Sequence, residues 1–356
     1  MGDYPYPIKI RAVWWSDSSK EVCWINTKKL PFEEEVTCSN DPGRVAKAII
    51  DMEIRGAPAI GVAAALAVAS YAYRISEKLS REEFFREIEN AVNVLWNTRP
   101  TAHNLFWALK RMRRVIHDSI ENKLDMSEAS ARLEEEAKKI MDEDIWSNIR
   151  LGEYGAQLVP DNATILTHCN AGALATAAFG TAEGVMRVAW YKGKKIKVIA
   201  TETRPVLQGA RLTVWELVKE GIPVTLITDN MVGYVMRKGL VDLVIVGADR
   251  ITREGYVINK IGTYMIALSA KRNNIPFYVA APTSTIDLES TINDVIIEER
   301  NPDEVRKVID KYITLPEVPA LNYAFDITDP DLVTAIITEK GIVKPPFDEN
   351  LRKTLS

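Results

Sequence analysis

The chain has 356 residues, of which 47% are hydrophobic and 26% are charged, and its formal net charge at pH 7 is -4. This is the composition of a globular protein long enough for two domains, and the small net charge without a basic stripe argues against nucleic acid as the main ligand. We expect no apolar run of membrane-spanning length and find no signal-peptide pattern, so the sequence predicts a soluble, cytoplasmic protein.

The sequence holds three cysteines, Cys23, Cys38 and Cys169, which form neither a CxxC motif nor a cluster with histidine. This spacing argues against a structural zinc site. A disulfide between Cys23 and Cys38 stays open, because intracellular proteins of hyperthermophiles can carry such bonds. The sequence contains only two glutamines, whereas Lys, Arg and Glu are plentiful, and this composition favours a thermophilic source.

Residues 1–145 predict a small antiparallel sheet followed by a helical bundle. Two apolar runs at 8–15 and 21–25, separated by a polar turn, are typical of a hairpin, and residues 30–38 offer a third strand. Helical patterns follow at 42–52, 59–74, 80–96, 102–117 and 128–141.

From residue 146 the pattern changes to alternating strands and helices, and we expect a second domain over 146–356. Short runs rich in Val, Ile and Ala predict strands at 163–166, 196–200, 223–227, 243–246 and 276–280. Helices are predicted at 173–190, 206–220, 230–238 and 263–271. This alternation predicts an α/β fold with a Rossmann-like, doubly wound parallel sheet.

The most distinctive stretch is the turn THCN at 167–170, which follows the first strand of this second domain. Because we expect a helix to begin at Ala173, Cys169 would lie at a helix N-terminus. Unpaired N–H groups there stabilise a thiolate or bind an anion. The alternative is an inert cysteine buried in the core.

Polar residues follow all five predicted strands, where an open parallel sheet binds its ligands. Asp249 comes after the apolar run at 243–246, so we expect it to be partly desolvated, which suits a general acid. A turn or capping aspartate is the alternative. Lys260, before a glycine and a predicted helix, is a candidate phosphate contact or a solvated surface lysine. Neither a GxxxxGK[ST] motif nor a GxGxxG motif after a strand is present, so no P-loop or dinucleotide site is predicted.

Two basic turns mark the first domain, RGAP at 55–58 and TRPT at 98–101. The glycine of the first turn would let a ligand approach the backbone closely. Arginine suits bidentate phosphate recognition, although either arginine could instead form a salt bridge at a helix end. His168 and His103 are interpreted as structural or orienting residues.

Six motifs together resemble the methylthioribose-1-phosphate isomerase family. They are RGAPAIG at 55–61, TRPTAHNL at 98–105, THCNAGALAT at 167–176, ETRPVLQGARLT at 202–213, DNM at 229–231, and VGADRI with NKIGTY between 246 and 264. The resemblance covers nearly the whole chain. The wider superfamily also holds ribose-1,5-bisphosphate isomerases and the regulatory subunits of initiation factor 2B, and CNAG at 169–172 resembles the methylthioribose branch more than the bisphosphate branch.

The resemblance implies a homodimeric enzyme of methionine salvage that acts on a sugar phosphate. It would convert 5-methylthioribose 1-phosphate to 5-methylthioribulose 1-phosphate without metal or cofactor. Asp249 would be the proton donor, and Cys169 would assist at the transition state. The implied substrate contacts are Arg55, Gly56, Ala57, Arg99, Gln208, Asn259 and Lys260.

Two alternatives stay open. The two isomerase substrates differ at carbon 5 of the sugar. A ribose-1,5-bisphosphate isomerase would need another cation or anion site for the phosphate there, whereas a methylthio group needs an apolar pocket. A non-catalytic subunit of the initiation factor type would not need Cys169 and Asp249 together.

Overall fold

The structure, a computed structural model, describes residues 3–99 and 103–355. The chain divides into two compact units: Met1–Asn148 with Ala173–Gly180, and Ile149–Gly172 with Thr181–Ser356. The boundary expected after residue 145 lies inside one helix, Met126–Ala156. The return of Ala173–Gly180 to the first unit was not expected from the sequence.

The described part of the first unit contains a three-stranded antiparallel sheet and a set of helices, as the sequence predicts. The strands β1 to β3 are Val13–Ser16, Glu21–Ile25 and Val36–Ser39, paired in that order. The helices α1 to α5 are Pro42–Ile50, Ala57–Ile75, Arg81–Trp96, His103–Glu121 and Met126–Ala156. Cys23 and Cys38 are directly paired across β2 and β3 and form a disulfide, which settles the alternative that the sequence left open.

Local capping explains where two of these helices begin. The Asp41 carboxylate accepts a hydrogen bond from the Gly43 N–H at 3.2 Å, and Pro42 fills the first position of α1. At α3, Ser80 and Glu83 form a capping box.

Helix α2 is apolar on every side, and most of it is buried. One 18-residue window within it has a mean hydropathy of 1.3, and 78% of that window is buried inside the structure. By length and composition this helix could cross a membrane, so the expectation that no apolar run reaches that length is wrong. A helix that is hydrophobic all round and buried by its own protein is typical of a core helix.

The segment Ala173–Gly180 is bonded into the first unit. The Ala177 carbonyl accepts the Ala12 N–H at 2.9 Å, and the Asp144 carboxylate accepts the Ala177 N–H at 2.7 Å. Gly56 precedes α2 with φ +89°, and a Cβ at this position would lie 2.3 Å from the Ala175 carbonyl oxygen. Glycine is therefore required at residue 56 by both backbone conformation and close approach.

The second unit is built on parallel strands and shorter helices. In chain order, the strands β4 to β16 are Thr164–Thr167, Lys197–Thr201, Val224–Ile227, Leu243–Val246, Arg250–Thr252, Val257–Lys260, Phe277–Ala280, Ile286–Asp287, Lys307–Val308, Lys311–Tyr312, Phe325–Thr328, Ala335–Thr338 and Gly341–Val343. The helices α6 to α11 are Ala182–Tyr191, Val214–Glu220, Val232–Arg237, Thr263–Arg272, Asp303–Arg306 and Phe347–Leu355.

Seven strands form the main sheet in the order β16-β15-β10-β7-β4-β5-β6, and all neighbours are parallel except the edge pair β15–β16. The five predicted strands are β4, β5, β6, β7 and β10. From β4 the chain adds β5 and β6 on one side and then returns to place β7 on the other side of β4. The strand order reverses between β4 and β7, and open α/β sheets bind ligands beyond the carboxyl ends at such a reversal.

Two features of this unit differ from the sequence prediction. A second sheet, ordered β11-β8-β9-β14, occupies residues for which the sequence predicted no strand. The helix predicted over 173–190 begins only at Ala182, because Thr176 bonds the preceding segment into a turn. The Thr176 hydroxyl donates to the Ala178 carbonyl at 2.8 Å and accepts the Gly180 N–H at 3.2 Å.

The Gly56 contact yields a prediction about stability. Gly56→Ala should lower the free energy of unfolding by about 3 kcal/mol or more, because a left-handed backbone and a backbone clash add together. Gly193→Ala is the matched control, since Gly193 has φ +86° but no atom within 4 Å of its added Cβ. It should cost about 1 kcal/mol, and equal losses in urea denaturation would contradict the clash at Gly56.

Candidate active site

The carboxyl ends of β4 and β7 bring two predicted catalytic residues onto neighbouring strands. Leu166 of β4 pairs with Val244 of β7, and Cys169 and Asp249 follow these strands within a few residues. Strand β5 lies on the other side of β4 and ends at Thr201. The first, second and fourth predicted strands therefore open onto one region in the middle of the sheet.

Cys169 lies in a strained turn and not at a helix N-terminus, so the predicted helical environment of its thiol is wrong. Its φ is +62°, its N–H donates to the Thr203 hydroxyl at 2.8 Å, and its carbonyl accepts the Thr213 hydroxyl at 2.6 Å. The residue is 8% exposed. The backbone of Cys169 is thus fixed by side chains of the loop after β5 and of the turn before α7.

His168 is a buried structural residue, in line with its interpretation from the sequence. Its Nδ1 lies 2.6 Å from the Thr201 hydroxyl, and its Nε2 lies 2.8 Å from the Ile261 carbonyl oxygen. Nε2 must donate to that carbonyl, and in a neutral ring Nδ1 then accepts from the Thr201 hydroxyl. Burial lowers the pKa of His168 and keeps it neutral. The ring connects the loop after β4 with the loop between β9 and α9.

Asp249 is exposed to solvent, so the expected partial desolvation of its carboxyl group is wrong. Its N–H donates to the Ile258 carbonyl at 2.9 Å, at the point where β8 begins to pair with β9. Because Arg250 pairs with Ile258, Asp249 lies opposite Asn259 in the extension of that hairpin. The second sheet therefore brings Asp249 close to Asn259 and Lys260.

Asn259 and Lys260 end β9 and are both buried, so Lys260 is not a solvated surface lysine. The Asn259 side-chain amide donates to the Thr263 hydroxyl at 3.1 Å, and Lys260 Nζ lies 5.0 Å from the centre of the Phe325 ring. A buried ammonium group costs free energy unless it meets a negative partner. This setting favours an anionic ligand or carboxylate near Lys260.

The N-terminus of α9 is occupied by a carboxylate of the protein. Asp326 accepts the Gly262 N–H at 2.7 Å and the Tyr264 N–H at 3.2 Å. Burial raises the pKa of Asp326 to about 6, against the lowering effect of these N–H groups. A phosphate contact at this point would depend on the Lys260 side chain, because Asp326 already binds these two N–H groups.

Gln208 is held in a distorted helical turn after β5. Leu207 has φ +61°, and residues Gly209–Thr213 form a π-helical turn, a form that often accompanies functional sites. A Cβ at Gly209 would lie 1.8 Å from the Thr201 carbonyl oxygen, so the turn packs directly on the end of β5. Gln208 Oε1 is buried without a hydrogen-bond partner among the described residues.

The remaining predicted contacts, Arg55, Gly56, Ala57 and Arg99, belong to the first unit. Arg55 and Arg99 are partly buried, and Gly56 and Ala57 open helix α2. A Cβ at Gly61 would lie 2.7 Å from the Asn104 carbonyl oxygen, so α2 and α4 begin side by side. Helices α2 and α4, which follow the two basic turns in the chain, therefore begin at the same end of this unit. Residues 100–102 and the His103 side chain lie outside the described residues.

Several residues that shape the second unit's site were given no role from the sequence, although Asp229 belongs to the DNM motif at 229–231. Asp229 accepts the backbone N–H groups of Thr203 and Arg204 at 2.8 and 2.7 Å and so fixes the loop after β5. Glu183 and Glu216 lie behind the Cys169 turn. Their signal was present in the sequence, since each is a glutamate in a predicted helix with another charged residue four positions on.

Among the described residues, one group could offer metal ligands by proximity alone. His117, Asp118 and Glu121 bring potential ligand atoms within 4.8 Å of one another on the exposed side of α4. Exposed acidic groups of this kind are common without an ion, and we assign them no role.

Comparison with known proteins places this geometry in a family. Residues 53–345 match the Initiation factor 2 subunit family. A methylthioribose-1-phosphate isomerase from Heliobacterium modesticaldum is 53% identical over 340 residues, which cover 95% of this chain and 97% of the relative. The solved 5-methylthioribose 1-phosphate isomerase of Pyrococcus horikoshii is 45% identical, with a TM-score of 0.93 over 99% of this chain and 98% of that one.

The chain belongs to the Initiation factor 2 subunit family, in its methylthioribose-1-phosphate isomerase branch. The α/β fold that the sequence predicted is confirmed by these structures. This chain is also similar to a solved translation initiation factor eIF-2B subunit delta from A. fulgidus, which is 45% identical with a TM-score of 0.88 over 98% of this chain and 99% of that one. Overall fold therefore does not separate the isomerase from the initiation factor subunit.

The two hydrogen bonds of His168 predict its contribution to stability in this family member. His168→Phe keeps a planar ring but leaves the Thr201 hydroxyl and the Ile261 carbonyl without their partner. The free energy of unfolding should fall by about 2–4 kcal/mol. His117→Phe is the control, because the His117 side chain is 70% exposed, and it should change stability by less than about 0.5 kcal/mol. Similar urea midpoints for both variants would rule out the bridging role of His168.

Proposed function

We propose that the protein is an isomerase that converts 5-methylthioribose 1-phosphate to 5-methylthioribulose 1-phosphate in methionine salvage. The observation that carries the proposal is the 50–53% identity, over nearly the whole chain, to relatives named methylthioribose-1-phosphate isomerase. The neighbouring positions of Cys169 and Asp249 beyond β4 and β7 agree with it, because they are the polar groups that the reaction needs.

The proposed chemistry begins at the ring oxygen of the sugar. Carbon 1 carries the phosphate, so the ring cannot open to a free aldehyde as in ordinary aldose isomerases. Asp249 gives its proton to the ring oxygen as the bond from that oxygen to carbon 1 breaks. Hydrogen then moves from carbon 2 to carbon 1, and the hydroxyl on carbon 2 loses its proton to become the ketone. One proton is given and one is released, so no outside oxidant or reductant is needed.

Asp249 and Cys169 have different surroundings in this scheme. Asp249 is exposed in the protein alone, so bound substrate itself would supply the desolvation that suits a general acid. Cys169 is buried in a rigid turn, so its thiol would be held in a fixed place beside the reacting carbons. We therefore assign proton donation to Asp249 and transition-state assistance to Cys169.

Substrate binding is proposed for the residues that the family resemblance implies. In the second unit, the Gln208 oxygen has no hydrogen-bond partner within residues 3–99 and 103–355, and it can accept a hydrogen bond from a sugar hydroxyl. The buried Lys260 ammonium can bind phosphate beside Asn259. In the first unit, Arg55 and Arg99 supply charge, while Gly56 and Ala57 offer backbone at the start of α2.

We further propose a cytoplasmic homodimer from a thermophilic organism that needs neither metal nor cofactor and binds neither nucleic acid nor membrane. Dimerisation has support from exposed apolar side chains on the adjacent helices α8 and α9, including Tyr234 at 61% and Met265 at 60% exposure. Sedimentation at micromolar concentration tests the dimer, and a monomer alone would contradict it.

A non-catalytic role of the initiation factor type is the second candidate, because the eIF-2B subunit delta structure is as similar in sequence as the solved isomerase. That role makes no use of the Cys169 and Asp249 pair. A turnover assay separates the two candidates.

The purified protein should isomerise 5-methylthioribose 1-phosphate and should prefer it to ribose 1,5-bisphosphate. A buried thioether methyl adds only about 1–3 kcal/mol of preference, but a second phosphate buried without a cation would be rejected more strongly. NMR of both sugar phosphates with the protein measures kcat/KM for each. A higher value for the bisphosphate would move the assignment to the other isomerase, and turnover of neither would favour the non-catalytic role.

Asp249→Asn should lower kcat by about 10²–10⁴-fold, because the variant keeps the shape of the side chain but removes the proton. Cys169→Ser should also lower kcat, since a hydroxyl ionises far less readily than a thiol. Asp242→Asn is the control: Asp242 is an exposed residue, and its carboxylate accepts the Thr164 N–H at the start of β4. Near wild-type turnover in folded Asp249→Asn protein would refute the proton-donor role.

A further inference from the structure

Four charged side chains are buried together behind the Cys169 turn. Glu183 and Arg187 come from α6, Glu216 and Glu220 come from α7, and none of these side chains is more than 2% exposed. Arg187 lies 2.6 Å from Glu216 Oε2, 2.9 Å from Glu220 Oε1 and 3.6 Å from Glu183 Oε2. Three carboxyl groups thus share one guanidinium out of contact with water.

Such an arrangement is stable only if one carboxyl group stays protonated, because like charges in a dry interior cannot all be ionised. Burial and the charge of Glu216 both raise the pKa of Glu183 well above its ordinary value. Glu183 Oε2 also has no hydrogen-bond partner in the described part of the chain. Glu183 is therefore the neutral member of the cluster, while Glu216 is a carboxylate paired with Arg187.

The cluster contacts the Cys169 turn through the side chain of Asn170. The Asn170 amide nitrogen lies 3.0 Å from Glu183 Oε1, 2.9 Å from Glu216 Oε1 and 3.3 Å from the Thr213 hydroxyl. The same Thr213 hydroxyl donates to the Cys169 carbonyl. The amide and the hydroxyl therefore hold two successive residues of the turn.

Gly172 closes the other end of the turn against the same two carboxyl groups. A Cβ at residue 172 would lie 2.3 Å from Glu183 Oε2 and 2.4 Å from Glu216 Oε2. The turn is therefore in contact with Glu183 and Glu216 at both Asn170 and Gly172. Cys169 lies between β4 and these contacts, and its backbone is left-handed. Residues other than glycine rarely adopt this conformation, so the surrounding contacts stabilise it here.

We infer that Glu183 and Glu216 are positioning residues that act through Asn170 and Gly172 to fix the backbone carrying the Cys169 thiol. Neutral Glu183 and ionised Glu216 have different parts in this arrangement. Glu216 accepts from the Asn170 amide with one oxygen and from Arg187 with the other. Glu183 accepts from Asn170 with one oxygen and carries its proton on the other. The inference rests on the proposed function only in linking the position of the thiol to turnover; the geometry of the turn does not depend on that function.

This difference predicts opposite outcomes for two isosteric substitutions. Glu183→Gln should be tolerated, because its oxygen can still accept from Asn170 and its NH2 group takes the place of the acid proton. Glu216→Gln should not be tolerated, because one of its two acceptor oxygens becomes a donor facing other donors. We expect Glu216→Gln to lower kcat by about 10- to 100-fold, with KM changed by less than about threefold. Glu183→Gln should keep both within about threefold.

The position of the thiol can be measured without substrate. Cys169 is the one cysteine outside a disulfide, because the sequence has three cysteines and the other two are bonded to each other. The rate of its alkylation by iodoacetamide, followed against pH, should change by at least about threefold in Glu216→Gln and not in Glu183→Gln. Burial also raises the pKa of Asp144 to about 7 and that of Asp326 to about 6. Infrared spectroscopy of the wild type, at a pH where both of these carboxyl groups are ionised, should show the carbonyl band of a protonated carboxyl group, and Glu183→Gln should remove it.

Glu220→Gln is the matched control, since Glu220 belongs to the same cluster and pairs with Arg187. It should lower the melting temperature as much as Glu216→Gln but leave kcat and alkylation near those of the wild type. If Glu216→Gln fails to fold, Thr213→Val removes the hydroxyl bond to the Cys169 carbonyl with little change of shape, and it should show the same changes in kcat and alkylation.

These experiments distinguish failure of the positioning inference from failure of the proposed isomerase function. A protein with no isomerase activity but with the expected alkylation pattern would keep the positioning inference and reject the proposed function. Folded Glu216→Gln or Thr213→Val with wild-type alkylation and kcat would overturn the inference. Equal damage by Glu183→Gln and Glu216→Gln would overturn the assignment of the proton to Glu183.

Discussion

The hydrogen bond from the Cys169 N–H to the Thr203 hydroxyl joins two loops whose backbones are both left-handed. Each such residue costs about 1–2 kcal/mol relative to ordinary backbone, so neither loop would keep its shape alone. Asp229 then binds the N–H groups of Thr203 and Arg204. The loops after β4, β5 and β6 are thus connected in series, and the place of the thiol depends on all three strands.

The parallel core could be predicted from sequence because each strand buried on both faces is a continuous run of Val, Ile and Ala. The small second sheet could not, since β8 has only three residues and pairs with β9 across a short turn. The prediction that a helix begins at residue 173, soon after β4, was wrong for a different reason. Residues 173–180 have a helix-compatible composition, but hydrogen bonds to Ala12 and Asp144 bind the segment in another conformation.

The positions of the candidate site residues followed from the sequence, while their environments did not. The polar residues that follow continuous apolar runs made Cys169 and Asp249 candidates, because such runs show where buried strands end. The exposure of the Asp249 side chain depends on strand pairing as well as on the neighbouring residues in the sequence. Gly247 and Ala248 separate Asp249 from the buried strand, and pairing with β9 leaves the carboxyl group in solvent. The charges of Glu183 and Arg187 are visible in the sequence, but their burial requires knowledge of which helices meet.

The segment Ala173–Gly180 has a consequence for the order of events during synthesis. The first unit includes this segment, yet the chain reaches it only after making β4, the strand from which the second unit's sheet grows outward. A nascent chain that ends at residue 148 would have no Ala177 carbonyl for the Ala12 N–H and no Ala175 against Gly56. Domains generally fold as units in the order in which they leave the ribosome. Here the earlier unit is completed only when translation has already entered the later one.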